Sequence, residues 1–272
     1  MTDPFQGRIA LVTGGSSGIG RAIAMQLVAR GCTVGILARD SERLNAAKAD
    51  IEAASPGAAA AVSVLRADVS DEGAVAGAMA RFEATCGLPD FLFNCAGRAE
   101  PGYIQDYSLD AYEAAMRVDY LGTVIPTQYL LPDFIARGSG HIINVSSVAG
   151  FLGLIGYGTY APAKFAVVGF SEVLRHEMKP HGVRVSVVCP PDVDTPRFAQ
   201  ENRTKPAECT AISGRARVMR PEDVARAVLD GVRKNRFYIL PGRAGLLFRL
   251  KGMVPGLVRA VLDRELRRVR GR

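Results

Sequence analysis

Ile9-Ala10-Leu11-Val12-Thr13-Gly14-Gly15-Ser16-Ser17-Gly18-Ile19-Gly20-Arg21-Ala22-Ile23-Ala24-Met25-Gln26-Leu27 is the stretch on which the fold turns. It joins an apolar run of strand type to a glycine turn and then to a helical run. Glycines at such a turn permit positive backbone dihedrals and close approach of a ligand, and the free N–H groups opening the helix attract a pyrophosphate. A lone glycine turn reads first as a tight turn with no ligand, so the surrounding chain has to decide.

Outward from this turn, strands and helices alternate. The pattern predicts strands at 33–38, 61–66 and 91–94 and helices at 41–54 and 72–86. A long helical stretch at 109–137 follows, then a strand ending at Ser147, a helix from about 158 to 178 and a strand at 183–189. A helix at 221–233 and a strand at 236–240 complete the pattern. Such alternation calls for an α/β fold, a doubly wound (Rossmann) parallel sheet with helices on both faces. The biased segment 53–60 reads as a loop. At 272 residues and 48% hydrophobic content the chain suits one domain with an ample core, here residues 1–240, followed by a tail at 241–272.

Chemistry enters with Ser147, Tyr160 and Lys164. In Tyr160-Ala161-Pro162-Ala163-Lys164 the phenol and the ammonium share a helix face four residues apart. A free Tyr titrates near ~10, and a neighbouring cation pulls that value down, so Lys164 is expected to acidify Tyr160. Ser147 closes the apolar run Ile142-Ile143-Asn144-Val145-Ser146-Ser147, which places its hydroxyl at the end of a parallel strand, where such sheets present functional groups. Pro162 fits a helix only in its first turn, so the helix is expected to begin just before Tyr160.

With the glycine turn upstream, these motifs resemble the short-chain dehydrogenase/reductase family over roughly residues 6–240. The resemblance implies Gly14, Ser16, Ser17, Gly18, Ile19 and Gly20 at the nucleotide turn, and Asp68-Val69 beside the adenine. It also implies Asn94, Ala96 and Gly97 after the fourth strand, and Pro190, Val193 and Thr195 near the nicotinamide. Ser147, Tyr160 and Lys164 take the catalytic roles: Tyr160 as general acid, Ser147 on the substrate carbonyl, and Lys164 also on the nicotinamide ribose. Many family members carry Asn where this chain has Asp119, in Arg117-Val118-Asp119-Tyr120-Leu121-Gly122. Asp119 then either keeps a place in a proton relay or is a structural Asp near a helix kink; in a dry site its carboxyl would favour the neutral form.

Cofactor choice is read at the second strand's end, Val34-Gly35-Ile36-Leu37-Ala38-Arg39-Asp40. The acidic residue that grips the ribose of NAD is replaced by Ala38, and the Arg39 guanidinium suits a 2′-phosphate, so NADP(H) is expected. The opposing reading leaves Arg39 on a solvated loop with Asp40 at the ribose. Further on, Pro190-Pro191-Asp192-Val193-Asp194-Thr195-Pro196 has Pro-Pro where the family usually has Pro-Gly. Together with Glu201-Asn202-Arg203-Thr204-Lys205-Pro206 it looks like the 3-ketodihydrosphingosine reductases. That resemblance implies NADPH-dependent reduction of a long-chain amino ketone, with 192–213 as a substrate-covering loop. The alternatives are another lipophilic carbonyl or alcohol, such as a steroid or acyl-chain ketone, or a catalytically idle NADP-binding module.

Residues 243–272 carry nine basic side chains against Asp263 and Glu265, a balance of +7 that equals the net charge of the whole chain. Nucleic-acid binding would need that charge on the fold rather than on a tail. Apolar residues interleave with it (Leu246, Leu247, Leu250, Val254, Leu257, Val261 among them), so the tail is expected either to lie on an anionic membrane surface or to pack on its own fold or a sister subunit. Arg249, Lys251 and Arg259 interrupt any span of the ~20 apolar residues needed to cross a bilayer. Five cysteines without a C-x-x-C pair, three scattered histidines and a start lacking an apolar stretch point to a reducing, cytoplasmic setting, to no metal site and to no secretory signal. A homo-dimer or homo-tetramer is what the family resemblance implies.

Overall fold

The computed structural model describes residues 3–55, 61–213 and 218–271. The strands are β1 (Ile9–Thr13), β2 (Thr33–Ala38), β3 (Val62–Arg66), β4 (Phe91–Asn94), β5 (Gly140–Val145), β6 (Val183–Val188) and β7 (Tyr238–Ile239). The helices are α1 (Gly18–Val28), α2 (Ser41–Ala53), α3 (Glu72–Cys86), α4 (Leu109–Ala115), α5 (Gly122–Arg137), α6 (Tyr160–Met178), α7 (Pro196–Glu201), α8 (Ala207–Ser213), α9 (Pro221–Arg233), α10 (Ala244–Met253) and α11 (Pro255–Arg270). The strands form one sheet in the order β3-β2-β1-β4-β5-β6-β7, and every pairing is parallel.

Both sheet faces are buried, which is why the strands read as nearly continuous apolar runs. Alternate residues go to opposite cores: Val12, Phe93 and Ile143 join Ile23, Leu27, Val224 and Val228 on one face. Leu11, Leu92 and Ile142 join Met79, Phe82, Phe134 and Leu174 on the other. The chain reverses its order of strand addition between β1, flanked by β2, and β4, so a crevice opens at their carboxyl ends.

Several boundaries differ from the sequence-based expectation. The 109–137 stretch is α4 and α5 joined by a π-helical turn at Met116–Leu121. The strand before Ser147 ends at Val145, leaving both serines in the loop beyond it. Helix α6 begins at Tyr160, so Pro162 falls in its first turn, where a missing N–H costs no helical bond. Of the loop expected at 53–60, residues 56–60 lie outside the described residues.

The tail forms α10 and α11, and α11 packs beside α8. Phe248 anchors α10 edge-on against Phe151 at 5.1 Å and beside Tyr238 at 4.8 Å, and Val258 is buried with them. Among the described residues no helix is long and apolar enough to cross a membrane.

Phe134 tests the core. It is fully buried, and a methyl group at Gly140 would come within 2.4 Å of its ring. Phe134→Ala should lower the unfolding free energy by about 3–5 kcal/mol in a urea titration followed by circular dichroism.

Candidate active site

A cavity of about 840 Å³ opens at the carboxyl ends of the strands and takes in both the glycine turn and the Ser147-Tyr160-Lys164 set. At its nucleotide end Gly14 has φ +64°, and a Cβ there would lie 2.8 Å from the Ala96 amide nitrogen. The turn thus lies flat against the loop after β4. Ser17, the N-cap of α1, makes no side-chain cap, so the first amides of the helix keep their capacity to bind an anion. Gly14, Ser16, Ser17, Gly18, Ile19 and Gly20 all line the cavity here, as do Asp68 and Val69. This cradle fits the pyrophosphate of a nicotinamide dinucleotide.

Asp68 is pushed up by burial, yet the Ser70 amide and hydroxyl and the Arg39 guanidinium outweigh that and hold its carboxyl below the usual range. Arg39 Nη1 lies 3.4 Å from Asp68 Oδ2, with the Arg39 side chain 56% exposed. Asp40 is already engaged: its carboxylate caps α2 by accepting the Arg43 amide and pairs with the Arg43 guanidinium at 3.3 Å. The cap of this helix is therefore Asp40, with Ser41 its first residue.

At the other end, Tyr160 and Lys164 rise from the first turns of α6. Lys164 Nζ sits 5.6 Å from the centre of the Tyr160 ring, donates to the Val145 carbonyl at 3.1 Å and pairs with Asp119 Oδ1 at 3.3 Å. Ser147 Oγ shares a hydrogen bond with the Tyr160 hydroxyl and accepts the Ala149 amide at 3.1 Å. The expected acidification of Tyr160 by Lys164 is absent. Burial, then the charges of Asp119 and Glu201, hold the phenol well above its ordinary value against the Ser147 hydrogen bond. The physical reason is burial first, to which the Asp119 charge, paired with Lys164 at 3.3 Å, adds.

Asp119 is fully buried in the π-helical turn and does not line the cavity. Its Oδ1 also accepts the Arg98 amide at 2.9 Å, while Oδ2 has no hydrogen-bond partner among the described residues. Burial raises its carboxyl, with Lys164 and the Arg98 amide opposing. Gly97 makes this pairing possible, because a Cβ there would come 2.6 Å from Asp119 Oδ1 and 2.9 Å from Lys164 Nζ.

Ala96, Gly97, Pro190, Val193 and Thr195 line the cavity. Thr195 also caps α7, accepting the Phe198 amide at 3.1 Å, and its methyl is what a Cβ on Gly18 would strike at 2.9 Å. Asn94 is elsewhere: buried beneath the site, its Nδ2 donates to Asn144 Oδ1 at 2.9 Å and to Thr127 Oγ1 at 3.1 Å. It braces the β4 end from behind rather than meeting a ligand.

Sequence reasoning passed over several participants. Thr13 Oγ1 accepts the Cys95 and Ala96 amides at 3.1 and 3.2 Å, tying β1 to the loop after β4. Asp192 and Glu201 from the covering segment line the cavity. Burial, only partly offset by Lys205, pushes the Glu201 carboxyl up to about 7. Lys205 itself lies over the Phe198 ring at 4.1 Å. Their spacing carried no signal, since a polar loop and a folded lid have the same composition. Leu246, Leu250, Leu257 and Val261 of the tail also line this cavity.

The family model described as short chain dehydrogenase matches residues 8–206. The chain is 41% identical over 233 residues to a 3-dehydrosphinganine reductase of Danio rerio, covering 85% of this chain and 70% of that protein. It is 40% identical over 231 residues to a 3-ketodihydrosphingosine reductase of Bos taurus, covering 84% and 70%. Among solved structures, a short-chain dehydrogenase/reductase from Burkholderia phymatum in complex with NAD superposes with a TM-score of 0.82 at 28% identity, covering 94% of this chain and 96% of that one. A short-chain dehydrogenase from Sphingobium yanoikuyae in complex with NADPH gives 0.78 at 26% identity, covering 93% and 95%. With the glycine turn and the Ser147-Tyr160-Lys164 set in one cavity, the chain belongs to the short-chain dehydrogenase family of oxidoreductases.

Proposed function

We propose that this protein reduces 3-ketodihydrosphingosine to dihydrosphingosine with NADPH. The observation that carries the reading is that relatives up to 41% identical over most of the chain bear the name of that reductase, while the cavity holds an intact Ser147-Tyr160-Lys164 set. When bound, the reduced nicotinamide supplies the hydride. Ser147 holds the ketone oxygen by a hydrogen bond, and Tyr160 delivers a proton to that oxygen as negative charge gathers on it. Lys164, fixed by the Val145 carbonyl and Asp119, positions the ribose and keeps the Tyr160 ring in place. Asp119 acts through Lys164, as a positioning residue rather than a proton carrier, because it does not reach the cavity. At the other end Arg39 turns from Asp68 to pair with the 2′-phosphate, a reading supported by the absence of a carboxylate at Ala38 and by the engagement of Asp40 with its own helix. Exposed arginines of the tail (Arg249, Arg259, Arg264) support location at the cytoplasmic face of a membrane.

The direct test is NADPH oxidation with 3-ketodihydrosphingosine beside a steroid ketone and a short ketoester. Turnover confined to the latter two, or none above the Tyr160→Phe blank, overturns the assignment. Tyr160→Phe should lower kcat roughly 10²-fold to 10⁴-fold while NADPH fluorescence titrations stay at wild-type affinity. Arg39→Ala should raise KM for NADPH roughly 10-fold and leave KM for NADH unchanged. Reduction needs Tyr160 protonated, so kcat/KM falls as pH rises through the phenol's pKa. Because the Glu201 charge holds that pKa up, Glu201→Gln should move the alkaline fall of the profile to lower pH. An unmoved alkaline limb would separate Glu201 from the acid.

A further inference from the structure

The apolar stripe of the tail is continuous with the site at which the reaction takes place. From Ser147 the cavity wall runs through Val148, Leu152 and Leu154 to Leu247 and Leu262, with Leu152 buried against the latter two in one cluster. Beyond them it continues over Leu246, Leu250, Val254, Leu257 and Val261. These five side chains remain 39–60% exposed although they face the cavity. On α11 the stretch from Leu257 to Leu262 rises ~7.5 Å along the helix axis, and Leu246 and Leu250 of α10 extend it, so the stripe is a trough with length, not a spot. Arg243, at the start of the tail, borders the cavity, whereas Arg249, Arg259, Arg264, Arg267 and Arg268 are exposed and lie off it. Asp192 and Glu201 also line the cavity, and their carboxylates act on the Tyr160 phenol.

We propose that the α10–α11 pair is the binding site for the substrate's alkyl chain, with the ketone at Tyr160 and the chain laid along Leu247, Leu250, Leu257 and Val261. The inference rests on the reading of the substrate as a long-chain amino ketone and adds where the chain lies and which residues measure it. The occupant follows from continuity: the cavity that contains the proton donor also takes in this trough, and its lining joins two carboxylates to a long apolar stretch, as a ligand with a polar head and a hydrocarbon chain requires. Each methylene moved from water into the trough contributes about fourfold in kcat/KM. Chain-length discrimination is thus a property of the last helices of the fold.

The test compares kcat/KM for the long-chain ketone and for medium-chain and short-chain homologues of the same head group, all below the concentration at which they form micelles. Wild type should favour the long chain by roughly 10²-fold or more over the short one. Leu257→Asn with Val261→Asn, at positions 60% and 52% exposed, should cut that ratio at least 10-fold. Leu246→Asn with Leu250→Asn repeats the test on the other helix should the first pair fail to fold. Met253→Asn, exposed and outside the cavity, should keep the wild-type ratio. An undiminished ratio in the stripe variants overturns the proposal. Loss of vesicle binding, or a change in oligomeric mass, with the ratio intact overturns it too and assigns the stripe to lipid or to a second copy. Equal kcat/KM for all homologues in wild type sinks this inference alone, whereas no turnover of any homologue sinks the substrate assignment beneath it as well.

Discussion

The buried pairing of Lys164 with Asp119 is the constraint to which the rest of the site answers. With side chains 4% and 0% exposed, both groups have given up hydration, and only their mutual attraction and a few backbone contacts return it. Four segments must meet for that: the first turns of α6 bring the amine, the π-helical turn brings the carboxylate, the end of β5 offers a carbonyl and the loop after β4 offers an amide. Removing either charge alone would leave the other buried and unpaired, a change on the order of 3–5 kcal/mol. The pair is thus a poor device for stability as such, and it ties four segments to one another at a single point. The π-helical turn belongs to the same logic. One extra residue in the turn lets Asp119 point inward beneath Gly97, where a regular helix would carry the position round to another face.

The sheet determines where this pair stands. Strand order reverses across β1 and β4, so the loops after β1, β4, β5 and β6 converge on one edge, and each delivers a different tool. β1 delivers the glycine turn, β4 the Gly97 passage, β5 Ser147, and the chain after β6 delivers Thr195 and the covering helices α7 and α8. The tail closes the far side, anchored by Phe248 against Phe151 only a few residues beyond Ser147. That anchor makes the tail part of the chamber's wall, so a change at the tail and a change at the site share one hydrophobic cluster.

Most of the fold was legible in the sequence because two strong periodicities, strand and helix, alternate along it and because glycine and proline punctuate them. β2, β4, α3 and α9 lie where the pattern puts them. What was not legible depends on tertiary contact. The π-helical turn leaves no trace in apolar spacing, since one inserted residue only shifts the phase. Asn94 sits inside a matched motif, yet its amide turns into the core toward Asn144 and Thr127, residues 50 and 33 positions away. The tail's stripe was visible as a stripe, but an apolar helix face looks the same whether lipid, a sister chain or the parent fold covers it. The acidified Tyr160 failed for a related reason: the one-turn spacing identified the cation correctly and could reveal neither the burial of the phenol nor the carboxylate, 45 residues before Lys164, that pairs with that cation.

That last reversal bears on chemistry. A phenol that is to abstract a proton must first lose its own, which a nearby unpaired cation would promote. In this chamber the cation is paired, the phenol is largely desolvated and the Glu201 and Asp192 carboxylates add their charge, so its pKa is held well above the ordinary value. A weak acid in such a place does little to a neutral ketone. Its contribution grows as hydride arrival turns the carbonyl oxygen toward an alkoxide, a much stronger base than the ketone, held by Ser147 in a medium that screens poorly. The proton then has a strong reason to leave, and it leaves at the moment the transition state needs it. The same carboxylates that raise the phenol would oppose a lingering alkoxide and so hasten its protonation. The electrostatics of the chamber are therefore those that keep a proton on the phenol until a stronger base forms beside it.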